Sequence, residues 1–386
     1  MTKAGETDAR QLPTHSPLVT APEALGRLAF PPATLDAIIV PASRPAESLA
    51  TAVDLAKAIG CQLVILCSFH TDLDDVHELI STRSLPGATA VSVPEGYTHP
   101  LLNFATTQWA REGDGKRVCA GRNSDLSTKR NVGLLLARML GWNRIFFMDD
   151  DIREIDAAAI LGTVSLLGTD GPVGDQYHTA AMMVRDFPDN SVVCHARRAI
   201  NEYQDVFVSG SVLAVDTKAS FGFFPDIYNE DWLFFYWDAA AKRLAKSSSS
   251  ARQVPYDPFA DPQRAASQEF GDVIAEGLYT LLHTGKGTES ADEQYWSAFL
   301  DDRDRILEQI KQRAYKARTE IRQKMIKSVA AATEQLREIK PGMCVTYTQA
   351  WRDDLGRWAR RLETLPVPAS IDKALEELDL RDPAIG

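Results

Sequence analysis

The sequence predicts an α/β protein with a mostly parallel central sheet flanked by helices. Three observations carry that expectation. Residues 37–40 (AIIV) and 61–68 (CQLVILCS) are continuous apolar runs, the pattern of strands buried on both faces. Between them Leu49, Ala52, Val53, Ala56 and Ile59 recur at helical spacing, so the stretch reads as one strand–helix–strand unit. A further helical stretch, 128–142, runs into a third apolar strand at 144–148.

The elements follow in chain order. Residues 1–34 are rich in Pro, Thr, Ala and Ser without a clear period, and are expected as a flexible N-terminal arm. The first strand is expected to end at Pro41, and Gly60 to stop the helix that follows. The segment 206–216 (VFVSGSVLAVD) reads as a strand pair or a strand broken at Gly210. Residues 229–246 read as one helix whose opening acids, Glu230 and Asp231, suit the positive end of its dipole. The four serines at 247–250 read as a mobile loop. A long charged helical segment is expected over 291–339, with one or two amphipathic helices in 350–386. The α/β domain is thus expected over 35–290 and a helical C-terminal extension over 291–386. No internal repeat is visible.

Composition narrows the function. Of 386 residues, 45% are hydrophobic and 25% charged, an ordinary globular mixture for one large domain with additions or two domains. No apolar run reaches the roughly 18 residues of a membrane-spanning helix. The first residues lack the apolar centre of a signal peptide. The five cysteines are scattered and form no CxxC pair. A reduced, cytoplasmic protein without a cysteine-based zinc site is expected. The net charge of -11 argues against a nucleic-acid partner. It leaves small anionic ligands open, because they respond to local fields.

Three charged clusters carry candidate chemistry. The apolar run Ile145–Met148 stops on Asp149, Asp150 and Asp151, at the carboxyl end of a buried strand, where open α/β sheets bind ligands. Adjacent carboxylates repel, and a divalent ion such as Mg²⁺ or Mn²⁺ relieves the repulsion, commonly with substrate phosphates completing its shell. The plainer alternative is a solvated acidic turn. Lys129 and Arg130 begin a helix, where cations are unfavourable unless an anion is bound. Alternatively they are a solvated first turn. Glu230 and Asp231 stand beside Trp232, Phe234, Phe235 and Tyr236, so a carboxylate against aromatic walls could act as a general base. A capped core helix explains the same pattern.

In this order the clusters resemble the GT-A fold glycosyltransferases, most closely the family 2 type, over residues 36–245. The resemblance rests on the strand ending at Pro41 (AIIVPASRP), on Arg130, Asn131 and Gly133 in KRNVG, on the DxD motif Asp149–Asp151, on VSGSVLAVD with its Gly210, and on the pair Glu230–Asp231. It implies a metal-dependent transfer of a sugar from a nucleoside-diphosphate sugar, uridine or guanosine, to a hydroxyl acceptor. Asp149 and Asp151 would hold Mn²⁺ or Mg²⁺, with His283 as a further ligand. Pro41, Ala42, Ser43 and Arg44 would line the nucleotide pocket. Ser68, Lys129, Arg130, Asn131, Asp150 and Gly210 would complete the nucleotide-sugar site. Asp231, beside Glu230, would take the acceptor proton and give inversion. One departure is plain: Cys67 and Ser68 stand where such enzymes commonly carry an Asp, and Asp72 follows only later. His195 is a weaker metal candidate, and Arg197 and Arg198 would meet an anionic acceptor or be solvated.

Two other readings compete. A nucleotide-sugar mutase resembling the reversibly glycosylated polypeptides also carries three aspartates after a strand and needs no acceptor. A non-catalytic binding protein on the same fold would need no base, so the Glu230–Asp231 pair counts against it. The basic stretch 311–327 reads as a solvated helix face in preference to peripheral contact with an anionic membrane. The C-terminal helices leave a homo-oligomer open, without a clean heptad.

Overall fold

The computed structural model describes residues 15–21, 33–187, 190–204, 207–219 and 222–381. Its centre is an eight-stranded sheet: β1 Ala37–Ala42, β2 Gln62–Cys67, β3 Ala88–Ser92, β4 Arg144–Met148, β5 Ile152–Arg153, β6 Thr179–Arg185, β7 Val212–Asp216 and β8 Leu244–Gln253. The spatial order is β3-β2-β1-β4-β7-β6-β8-β5. The first four run parallel, β7 is antiparallel to β4 and to β6, β8 is parallel to β6, and β5 closes the edge antiparallel to β8. The expected α/β class with a mostly parallel sheet is therefore present.

Fourteen helices flank this sheet among the described residues: α1 Ala50–Ile59, α2 Leu73–Arg83, α3 Ala105–Arg111, α4 Gly113–Val118, α5 Leu126–Met139, α6 Ala157–Val164, α7 Val192–Ala199, α8 Glu230–Phe234, α9 Tyr236–Ala240, α10 Pro262–His283, α11 Glu293–Gln312, α12 Thr319–Glu338, α13 Pro341–Glu363 and α14 Ile371–Glu377. None of them is long and apolar enough to cross a membrane.

The strands form because β1, β2 and β4 are buried on both faces, so every position after the opening Gln62 of β2 and Arg144 of β4 is apolar. Helix α5 packs Val132, Leu135, Leu136 and Met139 against them, all fully buried. Gly133 is required by that packing. A Cβ there would lie 2.9 Å from Ile39 and 3.0 Å from Phe147, closer than side chains tolerate. The C-terminal helices join the same hydrophobic cluster as the α5 face, with Trp296, Trp351 and Trp358 fully buried within it. Asp354 of α13 accepts the Ala105 and Thr106 amides and so caps α3, tying the extension to the sheet domain.

Several local expectations are corrected. Pro41 lies inside β1, opposite Leu66, and the ladder between β1 and β4 ends at Ile39, so its missing amide is accommodated. The stretch 229–246 is two short helices and the start of β8, because the chain turns at Lys242 (φ 60°) and Arg243 donates its amide to the Asp238 carbonyl. The four serines lie within β8, paired to β6, and Ser247 is buried against the Thr163 hydroxyl. Of 206–216, only Val212–Asp216 is strand, while Val206 lies outside the described residues. The segment 291–339 breaks between α11 and α12. Part of the expected arm is packed: His15 is 4% exposed, and Thr20 bridges Ala245. Residues 1–14 and 22–32 of that arm lie outside the described residues.

Candidate functional site

The chain leaves β1 towards β2 on one side and returns through β4 on the other. The carboxyl ends of β1 and β4 therefore form a topological switch point, the usual crevice for ligands in such sheets. Ser43 and Arg44 stand at one lip and Asp149–Asp151 at the other.

The three aspartates have three different environments. Asp150 is a structural clamp: one carboxylate oxygen accepts the Ser43 amide at 2.7 Å and the Arg44 amide at 2.9 Å. The Arg44 guanidinium also pairs with it. Asp151 accepts from the Arg44 guanidinium at 2.8 Å and from the Gln253 amide group at 3.0 Å. Asp149, the most open of the three, receives one Arg130 nitrogen at 2.9 and 3.1 Å. Arg44 keeps its charge firmly: burial opposes it, and Asp151 and Asp150 more than compensate.

Arg130 joins the acidic triplet to the second acidic pair. Its other terminal nitrogen donates to Glu230 at 2.9 Å. Burial disfavours the guanidinium, but Asp149, Glu230 and Asp231 outweigh that and raise its pKa. Glu230 is buried on Arg130 and thus holds a cation, whereas Asp231 faces the cavity. Asp231 accepts the Gly210 amide at 2.7 Å through one oxygen and its own neighbour Trp232 through the other at 2.8 Å. Those bonds fix the orientation of the carboxylate. A Cβ on Gly210 would lie 2.5 Å from the Asp231 Cβ and 3.0 Å from Arg130, so only glycine lets the backbone approach both.

Three cavities run side by side along this edge. One of about 580 Å³ lies beyond β2 and β3 and includes Ser68, Phe69, Tyr97 and Arg122. One of about 480 Å³ contains Ser43, Arg44, Lys129 and the three aspartates. One of about 390 Å³ contains Arg130, Asp149, Glu230, Asp231, Trp232 and Arg264. Arg44 and Asp149 border the last two, Phe69 the first two, and Arg122 the first and third. In the middle cavity four carboxylates face two cations. The Ser68 hydroxyl is buried without a hydrogen-bond partner, while Arg122 pairs with Asp226 and Glu230 at 3.6 Å.

Other expected site residues serve the frame. Asn131 exchanges two 2.8 Å bonds with the Phe224 backbone and so pins the chain before α8. The Lys129 ammonium is buried on the Ala42 carbonyl at 2.6 Å and Asp125 at 3.0 Å. Burial lowers its pKa, against Asp125. His283 is not brought to the triplet: it stacks on His15, which in turn contacts Glu276 at 3.0 Å. His195 is buried against Phe187, and burial, then Arg198 and Arg264, push its pKa down to about 4. Among the described residues no three His, Cys, Asp or Glu side chains are grouped as a metal site. In the middle cavity Asp149 is engaged by Arg130, and Asp151 by Arg44 and Gln253. Asp149 and Asp151 supply hard oxygens and surplus negative charge, and divalent ions commonly bind one or two carboxylates plus phosphate oxygens.

The chain matches no protein-family model and no curated protein. Sequence reasoning missed Arg122, Phe69 and Arg264. Arg122 sits in a loop without a motif. Arg264 is exposed, stacks on Tyr256 at 4.5 Å, and declares itself only through the cavity it borders.

Proposed function

We propose that this protein has a GT-A type fold and transfers a sugar from a nucleoside-diphosphate sugar to a hydroxyl acceptor. The observation that carries the reading is the sharing of one cavity by Asp149 and Asp231, with Arg130 fixed between Asp149 and Glu230 at its wall. The donor's nucleoside would occupy the cavity beyond β2, and its diphosphate would lie over Asp149 and Asp151. A Mn²⁺ or Mg²⁺ ion bound by those two residues would supply charge neutralisation for the departing diphosphate. Arg130 and Arg44 hold positive charge beside the same position. Asp231, oriented by two backbone amides, takes the proton of the acceptor hydroxyl as the hydroxyl attacks the anomeric carbon. With Asp231 as the base, transfer would be a single displacement with inversion. Trp232 forms part of the wall around the base.

Incubation with uridine- and guanosine-diphosphate sugars, Mn²⁺ and a panel of hydroxyl acceptors, followed by assay of released nucleoside diphosphate, tests this reading. Asp231→Asn should lower turnover by roughly 10²–10⁴-fold while leaving nucleotide binding intact. Turnover by Asp231→Asn at the wild-type rate would remove Asp231 as the base.

A further inference from the structure

Phe69 is unusual on three independent counts. It is 48% exposed, although it is a large apolar side chain. Its backbone lies at φ 52°, and among the described residues it is the only aromatic one at positive φ. It belongs to neither hydrophobic cluster of the fold, so the core does not account for it.

The local chain explains how this conformation is enforced. Residues 68–71 form a four-residue turn closed by the Thr71 amide on the Ser68 carbonyl. Phe69 holds the second position, where positive φ is ordinarily supplied by glycine. The turn is tied to the end of β1 on both sides. The Ser68 and His70 amides donate to the Ala42 and Ser43 carbonyls, and the Thr71 hydroxyl donates to the Arg44 carbonyl at 2.6 Å. A bulky residue kept in a sparsely populated conformation by its surroundings marks a functional position more often than an accident.

Position decides what that function is. Phe69 borders both the 580 Å³ cavity beyond β2 and the cavity of the acidic triplet. The Lys129 ammonium lies 5.8 Å from the ring centroid. Ser68 beside it has a buried hydroxyl without a partner. The arrangement is a flat ring held in place by its turn, next to a buried unpartnered hydroxyl and at the border of the cavity with the acidic triplet. We propose that Phe69 is the stacking platform for the nucleobase of the donor. The inference rests on the nucleotide-sugar reading above and extends it. Recognition on this side of the cleft comes from ring stacking, at the turn where the sequence has no Asp. Stacking tolerates any base, so the platform sets affinity for nucleosides as a class, and the polar groups around it set which base is preferred.

Calorimetric titration of uridine diphosphate, guanosine diphosphate and inorganic pyrophosphate, each with Mn²⁺, into wild type, Phe69→Asn and Phe69→Tyr separates the possibilities. Asparagine accepts positive φ readily and removes the ring. Phe69→Asn should bind both nucleotides about tenfold or more weakly, with pyrophosphate affinity unchanged and a melting temperature equal to or above wild type. Phe69→Tyr should restore nucleotide affinity. Wild-type nucleotide affinity in Phe69→Asn would overturn the stacking role alone. Equal loss of pyrophosphate and nucleotide would also overturn it, by showing that the turn merely supports the acidic site. Failure of wild type to bind either nucleotide would overturn the donor reading and this inference with it.

Discussion

Arg130 and Arg303 are built from the same chemistry and used differently. Each guanidinium is almost fully buried, and each meets two carboxylates at hydrogen-bond distance. Arg303 of α11 forks onto Glu269 at 2.8 and 2.9 Å and reaches Asp272 at 2.8 Å, and both acids are themselves buried on α10. Asp272 also accepts from Asn229 at 2.9 Å, which holds that residue at φ 62° immediately before Glu230 and Asp231. Arg130 instead leaves its Nε without a partner and points its acids, Asp149 and Glu230, at a 390 Å³ cavity. A buried ion cluster that closes on itself fixes geometry. One that opens onto a cavity keeps charge available for something else. The closed centre here frames the open one.

The largest effect expected from this contrast is on folding. Arg303→Met leaves Glu269 and Asp272 buried without a counter-charge, which should cost about 3–5 kcal/mol, read as a loss in denaturation midpoint. A midpoint within a degree of wild type would mean that the two centres do not differ in this way.

The next effect is a pH dependence. Three acids lie near Arg303: Glu269 and Asp272, both buried, and the half-buried Glu276. Burial first, against Arg303 and with Glu269 and Glu276, raises the pKa of Asp272 from 3.8 to about 6. A carboxyl raised in the fold favours the folded state when protonated. That contribution is fully present below about pH 3.8 and is lost as pH rises to about 6. Melting curves of wild type and Asp272→Asn between pH 4 and pH 7 should diverge in this window by up to about 3 kcal/mol. Parallel curves would remove Asp272 as the titrating group.

Arg130→Met should be the mildest for stability, about 1–2 kcal/mol, because Asp149 can turn towards solvent and Glu230 keeps Arg122 at 3.6 Å as counter-charge. Its binding phenotype should nevertheless be severe. A folded Arg130→Met protein that binds nucleoside diphosphate as wild type does would make the open centre structural too.

Much of this frame is readable in the sequence, and the reason is burial. Strands β1, β2 and β4 are covered on both faces, so their apolar runs are unbroken, and Asp149–Asp151 stand out by interrupting one. Gly133 and Gly210 are legible as glycines, but only the packing shows that Ile39 and Asp231 exclude a side chain there. Strand β8 is hidden because LAKSSSSARQ has poor strand propensity. Pairing with β6 and β5 outweighs that, and the buried Ser247 hydroxyl finds a partner in Thr163. His15 carries no signal at all, since nothing local announces that it will pack against His283 and Glu276, more than two hundred residues away. The division of labour among the aspartates is equally invisible, because Asp150 becomes a clamp only when the Ser43 and Arg44 amides fold back onto it.

The proposed metal-assisted diphosphate site is the cavity of Asp149 and Asp151, next to the open centre. Its most direct test is calorimetric titration of uridine diphosphate and guanosine diphosphate, with and without Mn²⁺, into wild type and Asp151→Asn. The expected result is tight binding of one nucleotide by wild type that requires Mn²⁺ and falls at least about tenfold in Asp151→Asn. Binding of neither nucleotide by folded wild type with Mn²⁺ present would contradict the claim and leave Asp149–Asp151 as a structural acidic turn.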